Sequence, residues 1–397
     1  EADDLSKSPE MIRLFEESEV RKIIGDYPGN NADYINALYG KQSNANVKLY
    51  TMIWKPLEKA LNGIKIAYVS PSGLLHKISF AALNKKKNVY LGDEVNIHLV
   101  SSTAKVVLPE KYNFDPGKKV SVYGAINYTS DSLKADPDEA GWEYLSATRL
   151  ETEEITRILR EGGSNVNYFS GKLASEEEFK RSSPESSLIH IATHGFFYPD
   201  PEEASLSGAA SQSADPTKKQ SATILKNQKK DSLKNDLNEK EKIIFRGGRE
   251  GFGVWTFVKN QNPLMRAGLV LAGANNVWST KLKPGNEEDG VLTAAEVSSL
   301  DLRKTGLVVL SACETGLGDI RGSEGVYGLQ RAFKMAGVKF IIMSLWQVPD
   351  RETSEFMTAF YSKLIQEKDI KKAFAETQKE MRKRYDPYYW AAFVLME

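Results

Sequence analysis

Leu188-Ile189-His190-Ile191-Ala192-Thr193-His194-Gly195 reads as an apolar strand that runs out at a histidine and a glycine. Leu307-Val308-Val309-Leu310-Ser311-Ala312 repeats the pattern and runs out at Cys313, followed by Glu314, Thr315 and Gly316. Phe340-Ile341-Ile342-Met343 is a further run of the same kind. Near-continuous apolar runs of this length fit strands buried on both faces, as parallel strands are.

Working outward, Val120 to Ile126, Val166 to Phe169 and Gly268 to Ala272 also read as strands. Helical patterns lie between and after them, at Leu150 to Arg160, Glu176 to Arg181, Gly325 to Met335 and Thr353 to Lys363. Strands alternating with helices predict an α/β domain, a mostly parallel sheet flanked by helices. Upstream, residues 9–62 read as helical and stop at Asn62-Gly63. Ile64 to Val69 is a strand closed by the turn Ser70-Pro71-Ser72-Gly73. Leu74 to Leu83 and Val95 to Val100 read as short strands, with Lys85-Lys86-Lys87-Asn88 as a solvated turn. The expected organisation is a helical segment over 1–62, the end of a repeat or linker region; a strand-rich region over 63–118; and a catalytic core over 119–397.

One stretch departs from the pattern. Pro201 to Lys242 is rich in Ser, Lys, Asn, Asp and Gln and nearly devoid of large apolar residues. Such a segment buries too little surface to offset its ordering entropy, so it reads as a long mobile insertion. Its place after the histidine loop suits either an activation loop or a tolerated surface insertion.

Composition narrows the function. Lys+Arg and Asp+Glu both number 53, so nothing in the overall balance favours capture of nucleic acid or an acidic membrane. The single cysteine excludes an intramolecular disulfide and a Cys-rich zinc site. No run approaches the roughly 18 apolar residues of a membrane span. The start at Glu1-Ala2-Asp3-Asp4 shows no signal-peptide pattern and no initiator Met. A cytoplasmic chain, cut from a longer protein, is the expectation.

His194 and Cys313 carry the chemistry. Parallel strands that are neighbours end on the same sheet edge, and that edge forms the ligand crevice of an α/β sheet. If the Leu188 and Leu307 strands are neighbours, imidazole and thiol meet there as base and nucleophile. Gly195 offers an unhindered N–H, which with the N–H of Cys313 would form an oxyanion hole. His190 and His194 are four apart, but a strand context and the lack of a third ligand argue against a metal pair, so no metal is expected. His190, His76 and His98 read as structural. Arg321-Gly322-Ser323-Glu324-Gly325 is not a nucleophile elbow, and no phosphate-binding loop is complete.

These stretches resemble the His and Cys motifs of CHAT domains, caspase-like peptidases related to separases and often attached to TPR repeats. Other segments resemble the family in the same order. They are Pro71 to Leu83, Asp289 to Val297, Glu324 to Phe333, Ser344 to Val348 and Asp386 to Leu395. The resemblance implies a caspase-like fold and a cysteine endopeptidase with His194 as base and Cys313 as nucleophile. It implies no cofactor. A protein substrate is implied, as is an activating sensor or TPR region outside this chain. Bacterial relatives of this kind process defence or cell-death effectors, pore-forming gasdermin-like proteins among them. Relatives differ in P1 preference; Asp289, Glu314, Asp319 and Glu324 lie near the motifs and would favour a basic P1, or else cap helices or face solvent. Two other classes stay open: a catalytically silent caspase-like scaffold or interaction module, and a zinc hydrolase.

Overall fold

The computed structural model describes residues 32–40, 43–86, 89–110, 112–129, 141–198, 260–278, 288–312, 319–320 and 326–397, together with Val20, Ile23 and Phe257. The insertion expected over 201–242 lies outside the described residues.

In chain order the strands are Ile66–Val69 (β1), Asn84–Lys86 (β2), Val89–Tyr90 (β3), Asn96–Leu99 (β4), Lys119–Ile126 (β5), Asn165–Gly171 (β6), Leu188–Ala192 (β7), Gly195–Phe197 (β8), Ala267–Val270 (β9), Val291–Thr293 (β10), Leu307–Ser311 (β11), Asp319–Ile320 (β12), Val326–Tyr327 (β13), Phe340–Ser344 (β14) and Phe393–Met396 (β15). The longer helices are Ala32–Tyr39 (α1), Asn44–Ile53 (α2), Ser146–Glu161 (α3), Glu176–Ser182 (α4), Ala294–Ser298 (α5), Leu329–Met335 (α6), Asp350–Glu367 (α7) and Ile370–Arg384 (α8).

The main sheet has eight strands in the order β1-β4-β15-β14-β11-β7-β5-β6. Strands β14, β11, β7, β5 and β6 run parallel. The sense reverses at the antiparallel β14–β15 pair, and β15, β4 and β1 are again mutually parallel. The α/β architecture is thus as expected, and β1 and β4 extend the same sheet rather than forming a separate layer. Every residue of β7, β11 and β14 is buried, the condition under which alternation gives way to continuous apolar sequence.

Helices cover both faces. His190 on β7 reaches Glu151 of α3 and Tyr361 of α7, each at 3.1 Å, and all three are buried. Tyr123 of β5 is registered with Ile191, one residue on, and packs on Phe179 of α4 on the opposite face. The expected structural role of His190 is therefore met: it pins two helices to the sheet.

Local readings were corrected in three places. Leu74 to Leu83 is not a strand but two short 3-10 turns, Gly73–Lys77 and Phe80–Ala82. Ile78, Phe80, Ala82 and Leu83 are all buried, so the turns satisfy the same apolar residues that suggested a strand. The helical reading over 9–62 is interrupted between α1 and α2, where Ser43 caps α2 by accepting from the Asn46 N–H. The helix expected from Gly325 starts only at Leu329, because Val326 and Tyr327 pair with β12 first. Among the described residues no helix is long and apolar enough to cross a membrane.

His76 sits in the first of those turns, half-buried, with Nε2 shielded from solvent. Burial pushes its pKa down to about 4 from 6.5. Below pH 6.5 the unfolded chain takes up a proton that the folded chain refuses, so stability falls as pH drops from 6.5 towards about 4. His76→Gln is expected to flatten the acid limb of urea unfolding by up to about 3 kcal/mol. Identical limbs for both proteins would show that His76 is not the titrating group.

Candidate active site

β7 and β11 are neighbours, and their register pairs Ala192 with Ser311. His194 lies two residues beyond Ala192, and Cys313 lies two residues beyond Ser311. Ser344, at the end of β14, donates its hydroxyl to the Ala312 carbonyl at 2.9 Å, tying down the residue before the cysteine. Cys313, Glu314 and Glu324 lie outside the described residues, and Asp319 is described only as backbone of β12.

His194 is 3% exposed, and two chain segments, at Tyr128 and at Trp142–Glu143, enclose its ring. Its ring lies 5.0 Å from that of Tyr128 and 5.0 Å from that of Trp142. Nε2 is 2.7 Å from the backbone carbonyl of Glu143. A carbonyl only accepts, so Nε2 carries the proton; in the neutral ring, Nδ1 then holds the lone pair. Imidazole orientation and tautomer are thereby set by one main-chain oxygen.

The site's walls follow from local sequence. β5 ends in a register shift after Tyr123, with Ala125 in the left-handed region at φ 50°. The Ala125 N–H is held by Thr148 Oγ1 at 3.1 Å. At Gly124 a Cβ would come within 2.5 Å of the Thr152 side chain, so glycine is needed there. This bulge re-aims the chain so that Tyr128 arrives beside β7. Thr193 donates its hydroxyl to the Val270 carbonyl, so Tyr128 donates its own to Thr193 Oγ1 at 2.9 Å.

β8, β9 and β10 form a small antiparallel sheet in the order β10-β9-β8. The Val270 N–H donates to the His194 carbonyl at 3.0 Å, and Gly195 stands opposite Leu269. Bonded and non-bonded pairs alternate in antiparallel ladders, so the Gly195 N–H is directed away from β9. It is not consumed by the ladder, as an oxyanion donor must not be.

Of the acids noted in the sequence, only the Asp289 side chain is among the described residues. Asp289 Oδ1 accepts from the Val291 N–H at 2.8 Å, capping a turn, and burial raises its pKa. Gly290 follows at φ +81°, pressed against Ala272 and Ala274. Nearby, Glu176, Glu288 and Glu296 converge on Lys180 Nζ at 2.7, 2.6 and 2.9 Å. That ammonium supplies the countercharge; burial pushes the Glu176 carboxyl up to about 9. His190 and His194, four apart in sequence, go to different partners.

Sequence reasoning missed the Glu143 carbonyl, Tyr128 and Trp142. A main-chain acceptor has no residue signature, and it lies 51 positions from the ring it holds.

Residues 45–397 match the CHAT domain, and the chain belongs to that family. It is 36% identical over 109 residues to tetratricopeptide repeat protein 28 of Homo sapiens, a match covering 27% of this chain and 4% of the relative. The Mus musculus protein of the same name is 36% identical over 110 residues, with the same coverage. The chain therefore aligns with only a small part of those relatives. Among solved structures it is similar to a chain of the Saccharomyces cerevisiae separase–securin complex, with TM-score 0.44 and 12% identity over 87% of this chain and 17% of the other.

Proposed function

We propose that the chain is a cysteine endopeptidase in which Cys313 is the nucleophile and His194 Nδ1 the base. The observation that carries the reading is the register of β7 with β11, which gives His194 and Cys313 equal offsets from paired residues. The Nε2–H bond to Glu143 supports it by reserving Nδ1 for proton transfer.

In this reading the Cys313 proton passes to Nδ1 as sulfur attacks the scissile carbonyl carbon. The carbonyl oxygen becomes an oxyanion held by the N–H groups of Gly195 and Cys313. Nδ1–H then protonates the leaving amine as the C–N bond breaks, leaving a thioester. Water gives a proton to Nδ1 and its oxygen attacks the thioester; release of the acid returns the thiolate and restores the pair. The substrate is a protein, and the TPR-bearing relatives support control by a sensor region outside this chain. Processing of a gasdermin-like effector is one candidate reaction.

A peptide electrophile that labels wild type and spares His194→Ala separates the peptidase from a silent scaffold. Labelling that ignores His194 would favour the scaffold. A positional-scanning library reads P1 directly. A preference for Arg or Lys that Asp289→Asn abolishes would put Asp289 in the pocket. A preference that survives Asp289→Asn leaves it a turn cap.

A further inference from the structure

We propose that Asn275 is a positioning residue for His194, acting through the Trp142–Glu143 backbone. The inference rests on the reading of His194 as the base. Asn275 touches no reacting atom. Its side-chain amide instead clamps the two segments that enclose the imidazole.

The contacts are specific. Asn275 Oδ1 accepts from the Trp142 N–H at 2.6 Å, and Nδ2 donates to the Trp142 carbonyl at 3.0 Å. The amide thus engages both main-chain groups of one residue, as a neighbouring strand would. The second Nδ2 proton goes to Thr129 Oγ1 at 2.9 Å, and the Asn275 N–H donates to the Tyr128 carbonyl at 2.9 Å. One residue therefore joins the Tyr128 wall to the Trp142 wall. The next carbonyl after Trp142 is that of Glu143, the acceptor for His194 Nε2–H.

The segment that leads into Asn275 is pinned by backbone bonds. The Leu271 N–H donates to Gly290 O at 2.7 Å, that of Ala272 to Ala174 O at 3.0 Å, and that of Gly273 to Asn127 O at 3.1 Å. At Gly141 an added Cβ would lie 3.1 Å from Asn275 Oδ1, so a side chain there would crowd the amide. Only a planar group with an acceptor on one side and two donors on the other satisfies all three partners, and Asn at this reach is that group.

Without the amide, the Trp142–Glu143 backbone loses its anchor, and the imidazole loses a fixed tautomer. The test uses the full chain labelled with 15N-histidine, with His194→Ala assigning its signal among the four histidines. Wild type is expected to show the Nε2–H tautomer. Asn275→Ala is expected to mix the tautomers and to slow alkylation of Cys313 by iodoacetamide by about fivefold, part of the roughly tenfold assistance expected from His194 itself. Asn275→Asp is nearly isosteric, keeps the acceptor for the Trp142 N–H and lacks the donor to the Trp142 carbonyl. It is expected to show the same mixing in a folded protein, and it carries the test if the alanine variant fails to fold. Thr129→Val, which leaves both Trp142 bonds, is expected to keep the tautomer. A single Nε2–H tautomer and an alkylation rate within about twofold of wild type in folded Asn275→Asp would overturn the proposal. If His194→Ala alkylates as fast as wild type, the base assignment fails, and Asn275 loses its positioning role with it.

Discussion

Cys313→Ala is expected to lower peptide-bond cleavage by about four to six orders of magnitude, and His194→Ala by a similar factor. The two losses should not add, because nucleophile and base act as one unit. What remains would come from the Gly195 N–H and from substrate binding. The size follows from the chemistry: alanine leaves no atom to form the thioester, so the two-step path closes entirely. Single-turnover cleavage of a verified protein substrate by both variants and the double variant measures it. Cleavage retained by Cys313→Ala, or additive losses in the double variant, would remove the pair from the mechanism.

Glu151→Ala is expected to cost about 1–3 kcal/mol of folding stability, the scale for leaving a buried donor unsatisfied. Glu151, His190 and Tyr361 form one network with no solvent access. The Glu151 carboxylate accepts from His190 Nε2–H, and Nδ1 accepts from the Tyr361 hydroxyl, each at 3.1 Å. Alanine strands Nε2–H among apolar side chains, where no water replaces the lost acceptor. Glu151→Gln keeps an acceptor oxygen in place and should cost less than half as much. Urea unfolding of the three proteins separates these cases. Equal losses for Ala and Gln would mean that the cost is one of packing or of charge, not of the hydrogen bond. Because β7 carries His190 and leads into His194, the alanine variant should also blunt activity before it unfolds the chain.

The sheet was legible because burial on both faces writes itself into β7, β11 and β14 as unbroken apolar runs. Their adjacency was only conditional in the sequence, and the Ser311–Ala192 register supplies the condition. His190 was legible as structural from its place inside a strand. The Leu74–Leu83 segment was not legible, since 3-10 turns and a strand bury the same residues and differ only in hydrogen bonding. The same limit applies more strongly to the site. Tyr128 and Trp142 reach His194, and Asn275 reaches Trp142, from segments far apart in sequence, and the atom that orients the ring belongs to the backbone. A bulge at Ala125 and a close approach at Gly141 leave small residues in the sequence, but small residues there have many other causes.

The pairing of His194 with Cys313 is tested most directly by the rate of Cys313 alkylation. Cys313 is the chain's single cysteine, so all thiol modification reports on it. Wild type and His194→Ala would be treated with iodoacetamide at about pH 7, where an unassisted thiol is mostly protonated and slow. The account predicts that wild type reacts more than about tenfold faster than His194→Ala, with the gap closing as alkaline pH ionises both thiols. Rates that coincide across that pH range would contradict it, leaving Cys313 an ordinary thiol and His194 a histidine held between two rings for structure alone.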